Sequence, residues 1–116
     1  MFQSITDVKN YITKTILKYS KEFVVPDYKI EYSNRFRRCL GRCGMRYFCG
    51  TPIQITFTFN NKYLASFKDN EEAIKDTVLH EIAHAMAGGH HHHDRVWVSC
   101  CNRIGANPSR CKKVEF

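Results

Sequence analysis

The stretch TVLHEIAHAMAGGHHHHDRVW, residues 77–97, holds all six histidines of a 116-residue chain. The run is internal and a further helix-like segment follows it, which does not fit an appended tag. A metal site is the reading that the spacing can test. HEIAH is His80-Glu81-Ile82-Ala83-His84. On a helix, residues i and i+4 share a face and lie about 6 Å apart. Two imidazoles so placed reach one Zn²⁺ at about 2.1 Å. Glu81 sits one step round the helix, too far back to ligate, and is placed to act as general base on a water at the metal. The competing reading is a solvated helix face that carries two histidines. The helix itself is expected over 70–87. Asp69 or Asn70 can cap it, Glu71 and Glu72 suit its positive end, and Gly88-Gly89 stops it.

A catalytic zinc normally keeps three protein ligands and one open position. Four histidines, His90, His91, His92 and His93, are on offer for the third. A metzincin-type spacing, HExxHxxGxxH, points to His90. That pattern wants glycine where this chain has Ala87, and a methionine turn further on, where none follows Met86.

Working outward, residues 4–23 carry Ile5, Val8, Ile12, Ile16, Tyr19 and Phe23 at helical spacing, with Ser4 and Asp7 as a capping pair and Pro26 beyond the end. Residues 28–33 alternate as a half-buried strand. Residues 35–50 read as a strand, or a hairpin interrupted by Gly41 and Gly44. In residues 52–59, Ile53, Ile55, Phe57 and Phe59 face one way and Gln54, Thr56 and Thr58 the other. Residues 60–62 read as a turn or loop. A last helix is expected from Asp94 to Arg103, with Val96, Trp97, Cys100, Cys101 and Ile104 as its apolar face, ended by Gly105 and Pro108. The order is helix, three or four strands, helix, helix: one α+β domain spanning 1–116.

The net charge is +7, which favours anionic partners, nucleic acid first. Arg35, Arg37, Arg38, Arg42 and Arg46 form a basic run interleaved with Phe36, Tyr47 and Phe48. That mixture suits single-stranded nucleic acid, and equally a solvated strand face. No apolar run approaches the roughly 20 residues needed to span a bilayer. The N-terminus is polar and amphipathic, so neither a membrane partner nor secretion is expected, and the protein is taken as an intracellular monomer. Its cysteines, Cys39, Cys43, Cys49, Cys100, Cys101 and Cys111, then read as reduced thiols. A second metal site around Cys39 and Cys43 is the sharper alternative.

The segment LHEIAHAMAGGHHHHDRVW resembles the SprT-like zinc metallopeptidases, a family that includes the Spartan DNA–protein-crosslink proteases. NRFRRCLGRC (34–43), IQITFTF (53–59), EEAIKDTVLHEIAHA (71–85) and IGANPSRC (104–111) extend the likeness over about residues 28–111. In that family a histidine opens the helix after HExxH, with an aromatic four residues later. The resemblance therefore implies His93, with Trp97, as the third ligand beside His80 and His84. It implies a minimal zincin-like domain with Zn²⁺ as cofactor and Glu81 as catalytic base. It also implies endopeptidase activity on DNA-associated or DNA-crosslinked proteins, and tips the basic run toward DNA. No zinc ribbon is read in the sequence up to Phe116, so any DNA targeting is expected to come from this domain or from a partner. The exposed edge of the 52–59 strand is expected to pair with extended substrate. Tyr47 and Arg95 are candidate oxyanion donors. His90, His91 and His92 are expected in a solvated loop, and Trp97 in the core behind His93. A different function class remains: a zinc-stabilised nucleic-acid-binding module without peptidase activity. Glu81 favours the enzyme, because a structural site needs no base and normally has four protein ligands.

Overall fold

The computed structural model describes residues 1–37, 39–89 and 93–108. The first helix, α1 (Ile5–Tyr19), starts where the sequence signals it. The Ser4 hydroxyl accepts from the Asp7 N–H at 3.2 Å, and the Asp7 carboxylate accepts from the Gln3 N–H at 2.9 Å. Val8, Ile12 and Ile16, spaced by four, are fully buried, while Ile5 stays on the rim. The helix ends four residues short of expectation, in a single 3₁₀ turn at Ser20–Glu22. Beyond it the Val24 N–H donates to the Ala85 carbonyl at 3.0 Å, tying this corner to the end of the metal-site helix.

Three strands follow: β1 (Tyr28–Ser33), β2 (Gly41–Phe48) and β3 (Thr51–Asn60). The expected strand over 35–50 begins only at Gly41, and Gly44 lies inside it without interrupting it. β2 and β3 form a hairpin whose two-residue turn, Cys49-Gly50, has φ of 51° and 79°. Positive φ at both turn residues is what the right-handed twist of a tight hairpin selects.

The sheet order is β1-β3-β2, with β1 parallel and β2 antiparallel to β3. β3 is thus the central strand and not the exposed edge expected for residues 52–59. From Ile55 onward both of its hydrogen-bonding sides are taken, and the free edge beside the histidines belongs to β2. Ile55, Phe57 and Phe59 point into the core at 0 % exposure. Ile53 does not, because β1 pairs with β3 only from Ile55 onward and leaves the strand's first residues uncovered.

Asn60 is buried and ends β3. Its side-chain N–H donates to the Cys39 carbonyl at 3.0 Å, and its side-chain oxygen accepts from the Lys62 N–H at 3.0 Å. That second bond caps a short helix, α2 (Asn61–Ala65), where a loop was expected. The long helix α3 (Phe67–Ala87) has a non-helical break at Asn70, so its regular part starts where the sequence puts it. Gly88 closes it, donating its N–H to the His84 carbonyl. The last helix, α4 (Arg95–Ile104), is capped by Asp94 and ended by Gly105 at φ 83°. Trp97 and Cys101 are buried against α3, whereas Val96, expected on the apolar face, is 43 % exposed. α1 and α3 pack on the sheet face that carries Ile55, Phe57 and Phe59. No helix among the described residues is long and apolar enough to cross a membrane.

Replacing Asn60 by Ala strips the Cys39 carbonyl and a helix N-terminus of their partners at once and leaves a gap at a fully buried position. It should cost about 1–3 kcal/mol. The same change at half-buried Asn61, whose side-chain N–H donates to the Asn34 side chain at 2.9 Å, should cost less, under about 1 kcal/mol. Urea midpoints at constant m-value check both.

Candidate metal centre

His80 and His84 occupy successive turns near the end of α3. The Asp94 carboxylate accepts from the Val96 and Trp97 N–H groups at 3.0 and 3.1 Å, which fixes where α4 begins. His93 immediately precedes this cap with φ 57°, a left-handed backbone that a non-glycine residue adopts at a cost of about 1–2 kcal/mol. That turn swings the imidazole back over α3. The His93 Nε2 lies 3.1 Å from the Nε2 atoms of both His80 and His84. Three imidazole nitrogens sharing one tetrahedral Zn²⁺ at about 2.1 Å stand about 3.4 Å apart. The triad therefore fits an ion of that size, and all its ligand atoms lie within 4.8 Å of one another.

Trp97 forms the floor. Its ring centroid is 4.8 Å from that of His80, 5.4 Å from that of His84 and 4.5 Å from that of His93. The indole N–H donates to the His80 carbonyl at 3.4 Å. The expected core position behind His93 is where the side chain sits.

Burial pushes His80 down to about 4, helped by neighbouring His93 and opposed by Asp76. The ring is thus neutral at physiological pH and keeps the lone pair that a metal needs. Glu81 lies beside the triad, one carboxylate oxygen 3.9 Å from the His80 Nε2. Burial raises its carboxyl to about 8, against the opposing effect of the Cys43 backbone N–H on β2. A divalent ion on the histidines acts in the opposite direction and favours the carboxylate.

The site opens into a cleft of about 480 Å³ between β2 and the α3–α4 corner, lined by Arg42, Cys43, Met45, Tyr47, Gly88 and Gly89 as well as by the triad and Glu81. Tyr47 reaches across this cleft. A Cβ on Gly89 would crowd the Tyr47 hydroxyl, the far end of an exposed side chain, so a larger residue there would have to push the phenol aside. Tyr47 follows a β-bulge at Arg46/Tyr47, a device that re-aims side chains beside functional sites. Arg95 is exposed and does not line the cleft.

Arg35 and Arg37 are exposed between β1 and β2, and Arg42 and Arg46 are exposed on β2. The Arg42 guanidinium lies 5.4 Å from the centre of the Phe36 ring. Arg38, the spare histidines His90, His91 and His92, and Cys111 lie outside the described residues. Cys39, Cys43, Cys49, Cys100 and Cys101 are free thiols. Burial, with Glu81 nearby, raises the Cys43 thiol above its ordinary value. Among the described residues the histidine triad is the one group of three or more metal-binding side chains, so Cys39 and Cys43 do not build a second site there. Sequence reasoning missed Cys43 and Met45 as cleft residues. Their alternation with Arg42 and Arg46 was visible, but nothing in it said which side faced the histidines.

Trp97 is the only tryptophan of the chain, so its fluorescence reports on this centre alone. Titrating metal-free protein with Co²⁺ should quench it at one equivalent, and Zn²⁺ should compete. His80→Ala, His84→Ala and His93→Ala should each lose stoichiometric metal by mass spectrometry, whereas His90→Ala should retain it. Retention by His93→Ala with loss by His90→Ala would overturn the triad.

No curated protein and no solved structure matches the chain. The model of the SprT-like family matches residues 8–115, a span that includes the β2–β3 hairpin, Glu81 and all three histidines of the triad. A family model that covers nearly the whole sequence, together with a metal-competent triad on a helix–loop–helix, leads to one conclusion: the chain belongs to the SprT-like family.

Proposed function

We propose that this protein is a zinc-dependent endopeptidase that cleaves extended protein segments. The observation that carries the reading is the make-up of the site: three converging imidazoles among the described residues, beside a buried carboxylate at the base of an open cleft. His80, His84 and His93 hold the ion. Zinc bound there supplies a Lewis acid for the peptide carbonyl and makes water acidic, with a pKa of roughly 7. Glu81 accepts the attacking water's proton and returns it to the leaving amine.

β2 aligns the substrate in this reading. The Asn60 N–H donates to the Leu40 carbonyl at 3.1 Å, which fixes the alternation of the antiparallel pair. Even-numbered residues of β2 bond to β3, and the odd ones turn their N–H and C=O groups outward; there the Cys43 N–H meets Glu81 and the Gly41 carbonyl accepts from the Cys39 thiol, while the Cys43 carbonyl and the Met45 groups face a partner strand. An extended segment can pair with that edge through its backbone, which tolerates many side chains.

DNA-associated or DNA-crosslinked proteins are the substrates we favour. Support comes from the +7 net charge and from the exposed Arg35, Arg37, Arg42 and Arg46, of which Arg42 lines the cleft. Tyr47 and Phe48, also exposed, add aromatic surface suited to single strands.

Glu81→Gln keeps size and helix propensity but cannot take the proton. It should retain zinc and fold, while hydrolysis of a DNA-bound protein falls by about 10²–10⁴-fold. Equal cleavage by both proteins would refute the catalytic role of Glu81. Zinc binding without cleavage by the wild type, with or without DNA, would leave a non-catalytic binding module. Separately, Arg35→Glu with Arg37→Glu should weaken binding to single-stranded DNA and flatten its salt dependence. Unchanged affinity at low salt would remove DNA from these residues.

A further inference from the structure

The outer face of β2 carries a pattern that backbone pairing alone does not explain. Arg42, Gly44 and Arg46 alternate there, opposite Thr58, Thr56 and Gln54 of β3, on the sheet face away from Phe57 and Phe59. Both arginines are exposed, and neither makes an ion pair among the described residues. Two acids lie across the sheet beyond β3: Glu31, which pairs with Thr58 and is engaged by Lys29 at 3.1 Å, and Asp27, whose carboxylate accepts from the Gln54 side chain at 3.3 Å. Between the arginines, a Cβ added to Gly44 would meet nothing within 4 Å, so a notch lies open between two cations.

We infer that this face selects substrate: Arg42, Gly44 and Arg46 favour an extended segment with acidic side chains at two positions four residues apart and a large aromatic midway between them. The inference rests on the reading of β2 as the substrate-pairing edge. Arg42, Gly44 and Arg46 use their backbone groups on β3, so toward an added strand they stand in the non-hydrogen-bonded positions, where facing side chains come closest. A carboxylate opposite Arg42 or Arg46 meets a guanidinium that no carboxylate among the described residues engages. An aromatic ring opposite Gly44 covers backbone that has no side chain of its own. Faces alternate in the same way for parallel and antiparallel addition, so the pattern holds for either strand direction. Residues between these positions point to the other face, over Cys43 and Met45.

The test is a peptide series of one length, built around a segment of a cleaved protein, with Glu, Gln or Lys at both outer positions and Tyr or Gly in the middle. Affinity for zinc-loaded Glu81→Gln protein is read by fluorescence anisotropy, and kcat/KM is read with the wild type. Both should rank Glu above Gln above Lys over roughly ten-fold, narrowing with added salt. Tyr should exceed Gly by about three-fold. Arg42→Glu combined with Arg46→Glu should invert the charge order, and Gly44→Val should erase the preference for Tyr. A charge order unchanged in the double variant would overturn the inference, as would loss of single-stranded DNA binding in that variant with the peptide ranking intact. A wild type that cleaves nothing would sink the peptidase reading instead, and the anisotropy ranking would still decide the selectivity.

Discussion

Trp97 is fully buried between α3 and α4, its ring within 5.4 Å of all three imidazoles and its N–H on the His80 carbonyl. This one packing contact sets how α4 lies on α3, and the triad depends on it. His80 and His84 share a helix and need no help to face the same way. His93 comes from another element and meets them only because α4 starts at a fixed place. Asp94 sets that start by capping, and Trp97 anchors it by burying an aromatic surface of the size that dominates core energetics. The left-handed backbone at His93 is held in place by the same two neighbours.

α3 answers to two surroundings at once. Ile74, Val78, Ile82 and Ala85 face the core, while His80 and His84 stand at the cleft. Glu81 lies between these faces and is buried without being apolar. Its burial is what raises the carboxyl toward neutrality, and the Cys43 N–H and a cation at the triad are what restore the charge. The local electrostatics therefore depend on β2 as much as on the helix that bears the residue.

Much of this was legible in the sequence. The i, i+4 histidines, the one-step offset of Glu81 and the glycine stop define α3 through local geometry alone. The four-residue spacing of Val8, Ile12 and Ile16 does the same for α1, and strict alternation does so for β1. What escaped were features decided by partners far along the chain. Alternation in residues 52–59 announces a strand, but not that β1 returns in parallel to cover its second edge. Asn60 reads as turn chemistry, and its bonds to Cys39 and Lys62 are visible only once the loop before β2 is in place. The hairpin turn was hidden because cysteine, not asparagine or glycine, takes its first left-handed position. The choice of His93 among four adjacent histidines rested on likeness to a family, since spacing within the run distinguishes none of them.

The contact between Tyr47 and Gly89 joins the hairpin tip to the corner beyond α3, and it has an evolutionary consequence. The phenol lies where a Cβ at residue 89 would go, so a change at either position is felt at the other. A side chain at residue 89 therefore comes with a displaced phenol or a smaller residue 47, and the present tyrosine sits most easily over glycine. Positions 47 and 89, far apart in sequence, should thus tend to be inherited together, linking the rim of the cleft to the corner beyond α3.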